Sequence, residues 1–179
     1  MKILKKILII IAILIVIPLI GALFVKGDYA VERQVVINKP KGDVFNYIKY
    51  VKNQDNYSVW NQRDPAMKKD FKGTDGTVGF VYAWVSENKK VGTGQQEITS
   101  IKDGERIDMK LTFKVPFEAT DYGYLITEPA GENSTNVKWG FTGKMPYPFN
   151  FMCLFMDMDK EVGPDLQGGL NNLKAVLEK

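Results

Sequence analysis

Nineteen consecutive residues without a charge, Ile7 to Val25 (ILIIIAILIVIPLIGALFV), constrain this chain more than any other feature. As a helix rising about 1.5 Å per residue the run is roughly 28 Å long, enough to cross a hydrocarbon core of about 30 Å. It is apolar on every side, whereas a helix resting on a soluble core needs only one apolar stripe. Pro18 and Gly21, costly in a water-exposed helix, are tolerated in a spanning one. A cleaved signal peptide is the competing reading, with Lys2, Lys5 and Lys6 as its charged flank. Against it, the apolar run is long, and Ile20-Gly21-Ala22 is a poor small-x-small cleavage site. Residues 1–26 are therefore expected to form an uncleaved, single-pass transmembrane anchor. The three N-terminal lysines argue for a cytoplasmic N-terminus and an extracytoplasmic domain, a bias that Lys26, Arg33, Lys39 and Lys41 oppose from the far side.

Residues 27–179 suffice for one domain with its own core. Without the four lysines of residues 1–26 the formal net charge falls from +3 to −1, so the basic balance belongs to the anchor. The domain lacks the basic face that nucleic acid demands. Cys153 is the only cysteine, so packing and not internal disulfides must hold the fold. Within FNFMCLFM it reads as an inert, buried thiol. The linker Lys26-Gly27-Asp28 keeps the domain close to the lipid headgroups.

Tyr29 to Asn38 is rich in β-branched residues and reads as a first strand. Asn38 is a candidate N-cap for a helix that holds Pro40 in its first turn and buries Val44, Phe45, Ile48 and Val51. Asn53 to Asp64 suits a second short helix that turns Val59 and Trp60 inward. From Met67 to Lys144 the apolar period changes to two, with strands at Met67–Phe71, Thr77–Ser86, Gly92–Lys102, Glu105–Val115, Glu118–Pro129 and Thr135–Lys144. Asp103-Gly104 is the clearest hairpin turn. Such a meander, apolar on one face, is an antiparallel sheet buried on one side. Leu166, Leu170, Leu173 and Leu177 form the apolar stripe of a C-terminal helix over Asp165–Lys179. Upstream, PFNFMCLFMDMDKEV continues the helical pattern, and Gly163-Pro164 should kink or break it.

The strings VVINKPKGDVFNYI with Trp60 downstream, GTDGTVGFVYAW followed by VGTGQQEI, VKWGF and the closing GLNNLKAVLE make residues 29–179 resemble the START-like, SRPBCC superfamily of polyketide cyclase/dehydrase proteins. The resemblance implies an α+β, helix-grip fold: a curved seven-stranded antiparallel sheet around a long C-terminal helix, here preceded by one transmembrane helix. It also implies a cavity between sheet and helix of the kind that often holds lipids or polyketides. Carriers and enzymes share that scaffold, so function must be argued from the site.

The chain has no histidine, which removes the commonest general base near neutral pH and the common histidine ligands of zinc and iron. No cofactor or metal is expected. Asp157, Asp159 and Glu161 read as a solvated helix face, and Asp121 should point outward by alternation. Alternation turns Tyr82, Trp84, Gln96, Met109, Phe113, Tyr122, Tyr124, Trp139 and Phe141 inward, and the helix sets Met152, Phe155 and Met156 opposite them. Large rings with polar tips, together with adaptable methionines, suit an apolar pocket with a few orienting groups. The expected function is a membrane-tethered binding module for a lipophilic small molecule or lipid. The alternatives are an interaction domain with a filled core, or a cyclase or isomerase using Tyr82, Tyr122, Tyr124 or a carboxylate.

Overall fold

The computed structural model describes residues 2–115 and 117–179, with only the backbone of Lys2. Lys2 therefore contributes to the flanking-charge argument through a side chain outside the described residues, while Lys5 and Lys6 are exposed. Helix α1 (Lys2–Ala22) is long and apolar enough to cross a membrane, and its side chains point away from the rest of the protein as far as Ile17. Strand β1 (Asp28–Ile37) follows, then α2 (Lys41–Ile48), a 3-10 turn (Val51–Asn56) and α3 (Val59–Arg63). Six strands come next: β2 (Lys68–Lys72), β3 (Val81–Val85), β4 (Thr93–Lys102), β5 (Arg106–Val115), β6 (Ala119–Gly131) and β7 (Ser134–Lys144). A second 3-10 turn (Phe149–Leu154) leads into α4 (Met158–Leu177).

The strands form one antiparallel sheet in the order β1-β7-β6-β5-β4-β3-β2, so β1 crosses over to pair with the last strand. Register shifts between β4 and β5 leave one extra residue on each strand, Lys114 of β5 opposite Thr93/Gly94 and Thr99 of β4 between Ile98 and Ser100. Such bulges bend a strand, and the curved sheet they help to shape grips α4. Leu166, Leu170 and Leu173 are fully buried on that helix and meet Val31, Ile37 and Val137 of the sheet in one core with Val44, Phe45 and Ile48 of α2. Each such leucine contributes roughly 1.5–3 kcal/mol by leaving water.

Four sequence expectations need correction. Asn38 does not cap α2; Pro40 occupies the cap position, with no side-chain bond to the helix. Helix α4 neither breaks nor ends at Gly163-Pro164. Proline costs the one hydrogen bond its missing N–H would make, while Gly163 leaves room for the Arg33 guanidinium, whose space a Cβ would occupy. Arg33 crosses there to a bidentate bond with Asp159, both contacts at 2.8 Å. The stretch before α4 is not a continuation of it. Helix geometry stops at the 3-10 turn, and Asp157 starts α4 afresh by accepting from the backbone N–H groups of Asp159 and Lys160.

The fourth correction is the facing of β6. Asp121, Gly123, Leu125 and Thr127 point inward and are buried, while Tyr122 and Tyr124 lie on the outer face. The space above Gly140, which a side chain there would fill, holds the Tyr124 ring. From it the Tyr124 hydroxyl donates to Glu32 Oε2 at 2.6 Å, and Arg106 lies 4.5 Å from the ring centre.

The second 3-10 turn serves α1. Asn150 Nδ2 donates to the carbonyls of Ala22 and Val25, each at 2.7 Å, and so occupies acceptors left open where the helix ends. The Phe151 ring seats against Gly21, where a Cβ would come within 2.7 Å of Cε2. That contact holds the segment beside α1 and away from the sheet.

Candidate functional site

A cavity of about 210 Å³ lies between the concave face of the sheet and α4. Trp84 of β3, Gln96 of β4, Met109, Leu111 and Phe113 of β5, Gly123 of β6, and Trp139 and Phe141 of β7 form its sheet side. Val162 and Leu166 of α4 face them, and Gln54, Ser58 and Trp60 close one wall with Met67. Lys90 and Val91, from the turn between β3 and β4, complete the lining, and Lys90 is its one ionisable side chain.

Of the twelve residues expected at a pocket, Trp84, Gln96, Met109, Phe113, Trp139 and Phe141 line this cavity. Their aromatic rings brace one another edge to face: Trp84 with Phe113 at 6.0 Å and Trp60 with Trp139 at 6.1 Å between centroids. Tyr82 points inward as expected but lies behind the wall, committed to a network. Its hydroxyl donates to Asp55 Oδ1 at 2.7 Å and accepts from Asn61 Nδ2 at 3.0 Å. Burial, then the Asp55 carboxylate, push the Tyr82 hydroxyl far above its ordinary pKa. Burial alone would raise Asp55, but bonds from Lys69, Tyr82 and Asn61 hold its carboxyl below the usual range.

Five expected residues lie outside the cavity altogether. Tyr122 is exposed on the convex face, and Tyr124 is engaged there by Glu32. Burial and that carboxylate push the Tyr124 hydroxyl up to about 12. Met152, Phe155 and Met156 are exposed beside the end of α1, because their segment is tied to α1 and not laid over the sheet. Cys153 in the same segment is only half-buried. Asp121, expected in solvent, is instead 4% exposed and accepts from the Tyr29 hydroxyl at 2.7 Å. Burial raises its carboxyl above the ordinary value, and the Tyr29 bond offsets that only in part.

Sequence reading missed Gln54 and Ser58. They sit in the polar segment NQDNYSVW, where nothing but proximity to Trp60 hints at burial. Gln54 is 4% exposed, and its Oε1 accepts from Gln96 Nε2 at 2.9 Å. Its own Nε2 has only a long contact with the Met109 sulfur, at 3.8 Å. This amide pair, with Ser58 beside it, is the buried polar point in a largely apolar space. It can offer a donor and an acceptor to a neutral group, whereas the one charged side chain of the lining, Lys90, lies on its exposed side.

A curved antiparallel sheet gripping a C-terminal helix over an apolar cavity defines a START-like domain of the SRPBCC type. Residues 29–178 match the family described as polyketide cyclase / dehydrase and lipid transport, and the chain belongs to that family. Norcoclaurine synthase from Thalictrum flavum is similar in structure, with a TM-score of 0.63 at 10% identity, covering 87% of this chain and 90% of that one. A protein from Chromobacterium violaceum has a TM-score of 0.58 at 12% identity, covering 84% and 98% of the two chains. The Aha1 dimer from Colwellia psychrerythraea gives 0.56 at 13% identity, with 84% and 96% covered. At such identities the likeness is one of fold. No curated protein sequence matches the chain.

Proposed function

We propose that this chain is a membrane-tethered binding module for a lipophilic small molecule, held in the cavity between the sheet and α4. Family and fold suggest a ligand-binding domain of the polyketide cyclase type. The observation that carries the finer reading is the cavity itself, because a domain serving only as an interaction surface would gain stability by filling it. Its 210 Å³ exceeds the ~150 Å³ dry cavity that takes a benzene and falls below the ~300 Å³ of a pocket enclosing a drug-sized ligand. A single ring system or one stretch of acyl chain fits, with its neutral carbonyl or hydroxyl at Gln54 and Gln96. A structure of norcoclaurine synthase in complex with dopamine and hydroxybenzaldehyde involves ligands of that size on the same fold. Tyr122 and Tyr124, candidate acid/base groups of a cyclase reading, face away from this space, and Tyr82 is held by Asp55.

Helix α1 supports the tether. We take residues 1–26 as a single span and 27–179 as the domain it holds, outside the cytoplasm by the flanking lysines. Alkaline carbonate should leave the full chain in the membrane pellet; release to the supernatant would remove the tether.

The binding test uses full-length protein in mild detergent. An organic extract should contain a lipophile detectable by mass spectrometry. A naphthalene probe should bind saturably and change tryptophan emission, since Trp60, Trp84 and Trp139 all border the cavity. Met109→Trp, which fills the space, should weaken that binding. An empty extract together with no saturable binding overturns the reading.

A further inference from the structure

The exposed apolar side chains of the domain are unevenly placed. Val36, Tyr50, Phe71, Val78 and Tyr122 are scattered singly, but Phe117, Tyr147, Phe149, Leu154 and Phe155 gather at one end, all more than half exposed. That end is where α1 joins. Asp28, the first residue of β1, pairs with Lys144, the last of β7. The same edge of the sheet carries the end of β5 and the start of β6, which Phe117 connects. Asn150 ties the 147–156 segment to the last turn of α1, and Leu23 and Phe24, at 68% and 83% exposure, continue the apolar surface of the helix onto it.

The open side of the cavity lies at this end too. Trp84 precedes the last residue of β3, Gly94 follows the first of β4, and Phe113 pairs with both Gly94 and Ala119 near the sheet edge. The partly exposed part of the lining is these rings with Trp60, Val91, Leu111, Phe141 and Val162, and Lys90 is exposed. Its floor, from Gln54 and Gln96 to Met109, Gly123 and Leu166, is buried.

From this we propose that Phe117 and the 147–156 segment form a collar seated in the lipid interface around α1, which presses the mouth of the cavity against the bilayer. The occupant of the apolar surface is the membrane itself, and the inference rests on the reading of α1 as a span. Continuity decides it. A helix that spans cannot hold Ala22 and Val25 at its end while the side chain bonded to both lies far from the interface. Tyr147 is of the kind enriched at a membrane–water boundary, and Phe and Leu are the residues that insert just below it. Of the lysines at this end, Lys144 is within 3.5 Å of Asp28 and Lys160 within 3.1 Å of Asp157, while Lys26 and Lys114 are exposed and can add to the contact without carrying it. Apolar insertion holds the collar, and a lipophilic ligand reaches the cavity without crossing bulk water.

The experiment places an environment-sensitive fluorophore on the full chain in phosphatidylcholine vesicles, with Cys153→Ser as background. Phe155→Cys labels the collar, and Val78→Cys labels the opposite end of the sheet. The label at 155 should be blue-shifted and lose most of its emission to spin-labelled lipid, while the label at 78 keeps its own. Anionic lipid should not be needed for the quenching at 155. A label at 155 as aqueous as that at 78, in protein that resists carbonate, overturns the collar and leaves the span intact. Quenching that appears only with anionic lipid also overturns it, since charge would then hold the domain down. Release by carbonate with quenching at 155 retained removes the span and keeps the collar as a peripheral contact.

Discussion

Gly123 offers the sharpest test of whether the cavity is a binding site or a packing fault. A Cβ there would meet Leu111 Cδ1 at 3.1 Å, Gly140 O at 3.7 Å and Met109 Cε at 3.9 Å. The tight contact is with the tip of a flexible side chain that itself borders the cavity, so Leu111 has room to retreat. Gly123→Val adds three carbons, which at roughly the 30 Å³ of a liquid water each take up about 90 Å³. Burying them gains up to ~2.4 kcal/mol, at ~0.8 kcal/mol per methylene. Moving Leu111 off its rotamer costs ~0.5–1.5 kcal/mol. The net is a gain of about 1 kcal/mol, or ~2–4 °C in Tm for a chain of this size. Affinity moves the other way. The ~120 Å³ that remains is below the ~150 Å³ that takes a benzene, so probe binding should weaken at least about tenfold, or ~1.4 kcal/mol. Thermal unfolding and probe titration in the same detergent read the two effects separately. Undiminished binding in the stabilised variant refutes the placement of the ligand. A loss of stability beyond ~1–3 kcal/mol, the cost of overpacking, refutes the premise that this wall has slack.

Leu170→Ala, at a fully buried position on α4, should cost ~2–5 kcal/mol in denaturant unfolding; a cost near the ~0.5 kcal/mol of surface changes would mean the helix grips less than its burial implies. Asp121 carries a pH dependence: burial raises its carboxyl, so its contribution is fully present below the unfolded-state value and is lost as pH rises through the folded one. Asp121→Asn keeps a neutral acceptor for Tyr29, so Tm should rise at pH 7 and stay unchanged at low pH; an equal gain at both would refute the ionisation argument. Asn150→Ala strips the bonds to the carbonyls of Ala22 and Val25, and protease should then cut faster around residues 23–27 while the Tm of the domain holds. Unchanged cleavage there would mean that the 3-10 turn does not secure the junction.

Much of the architecture was legible in local pattern. Apolar alternation in β5 and β7 names one face, because polar side chains or glycine occupy the other. The leucines of α4 repeat at helical spacing, and three of them are fully buried where that spacing puts them. The uncharged run of α1 announces itself by length. These readings succeed because each depends on the chemistry of a few neighbouring residues.

What failed depended on partners distant in the chain. In β6 both faces offer plausible core, with Tyr122, Tyr124 and Ile126 against Asp121, Gly123 and Leu125. Only pairing with β7 decides between them, by setting a ring-sized gap above Gly140 and the Glu32 carboxylate within reach of Tyr124. The segment 149–156 is apolar enough for core or interface, and its position is set by Asn150 reaching back to α1, 128 residues earlier in the chain. Gln54 reads as surface until Gln96 arrives from β4 to satisfy it in the cavity wall. Sequence determined which residues seek burial; the tertiary structure decided which share a space, because that depends on strand pairing and on hydrogen bonds between groups far apart along the chain.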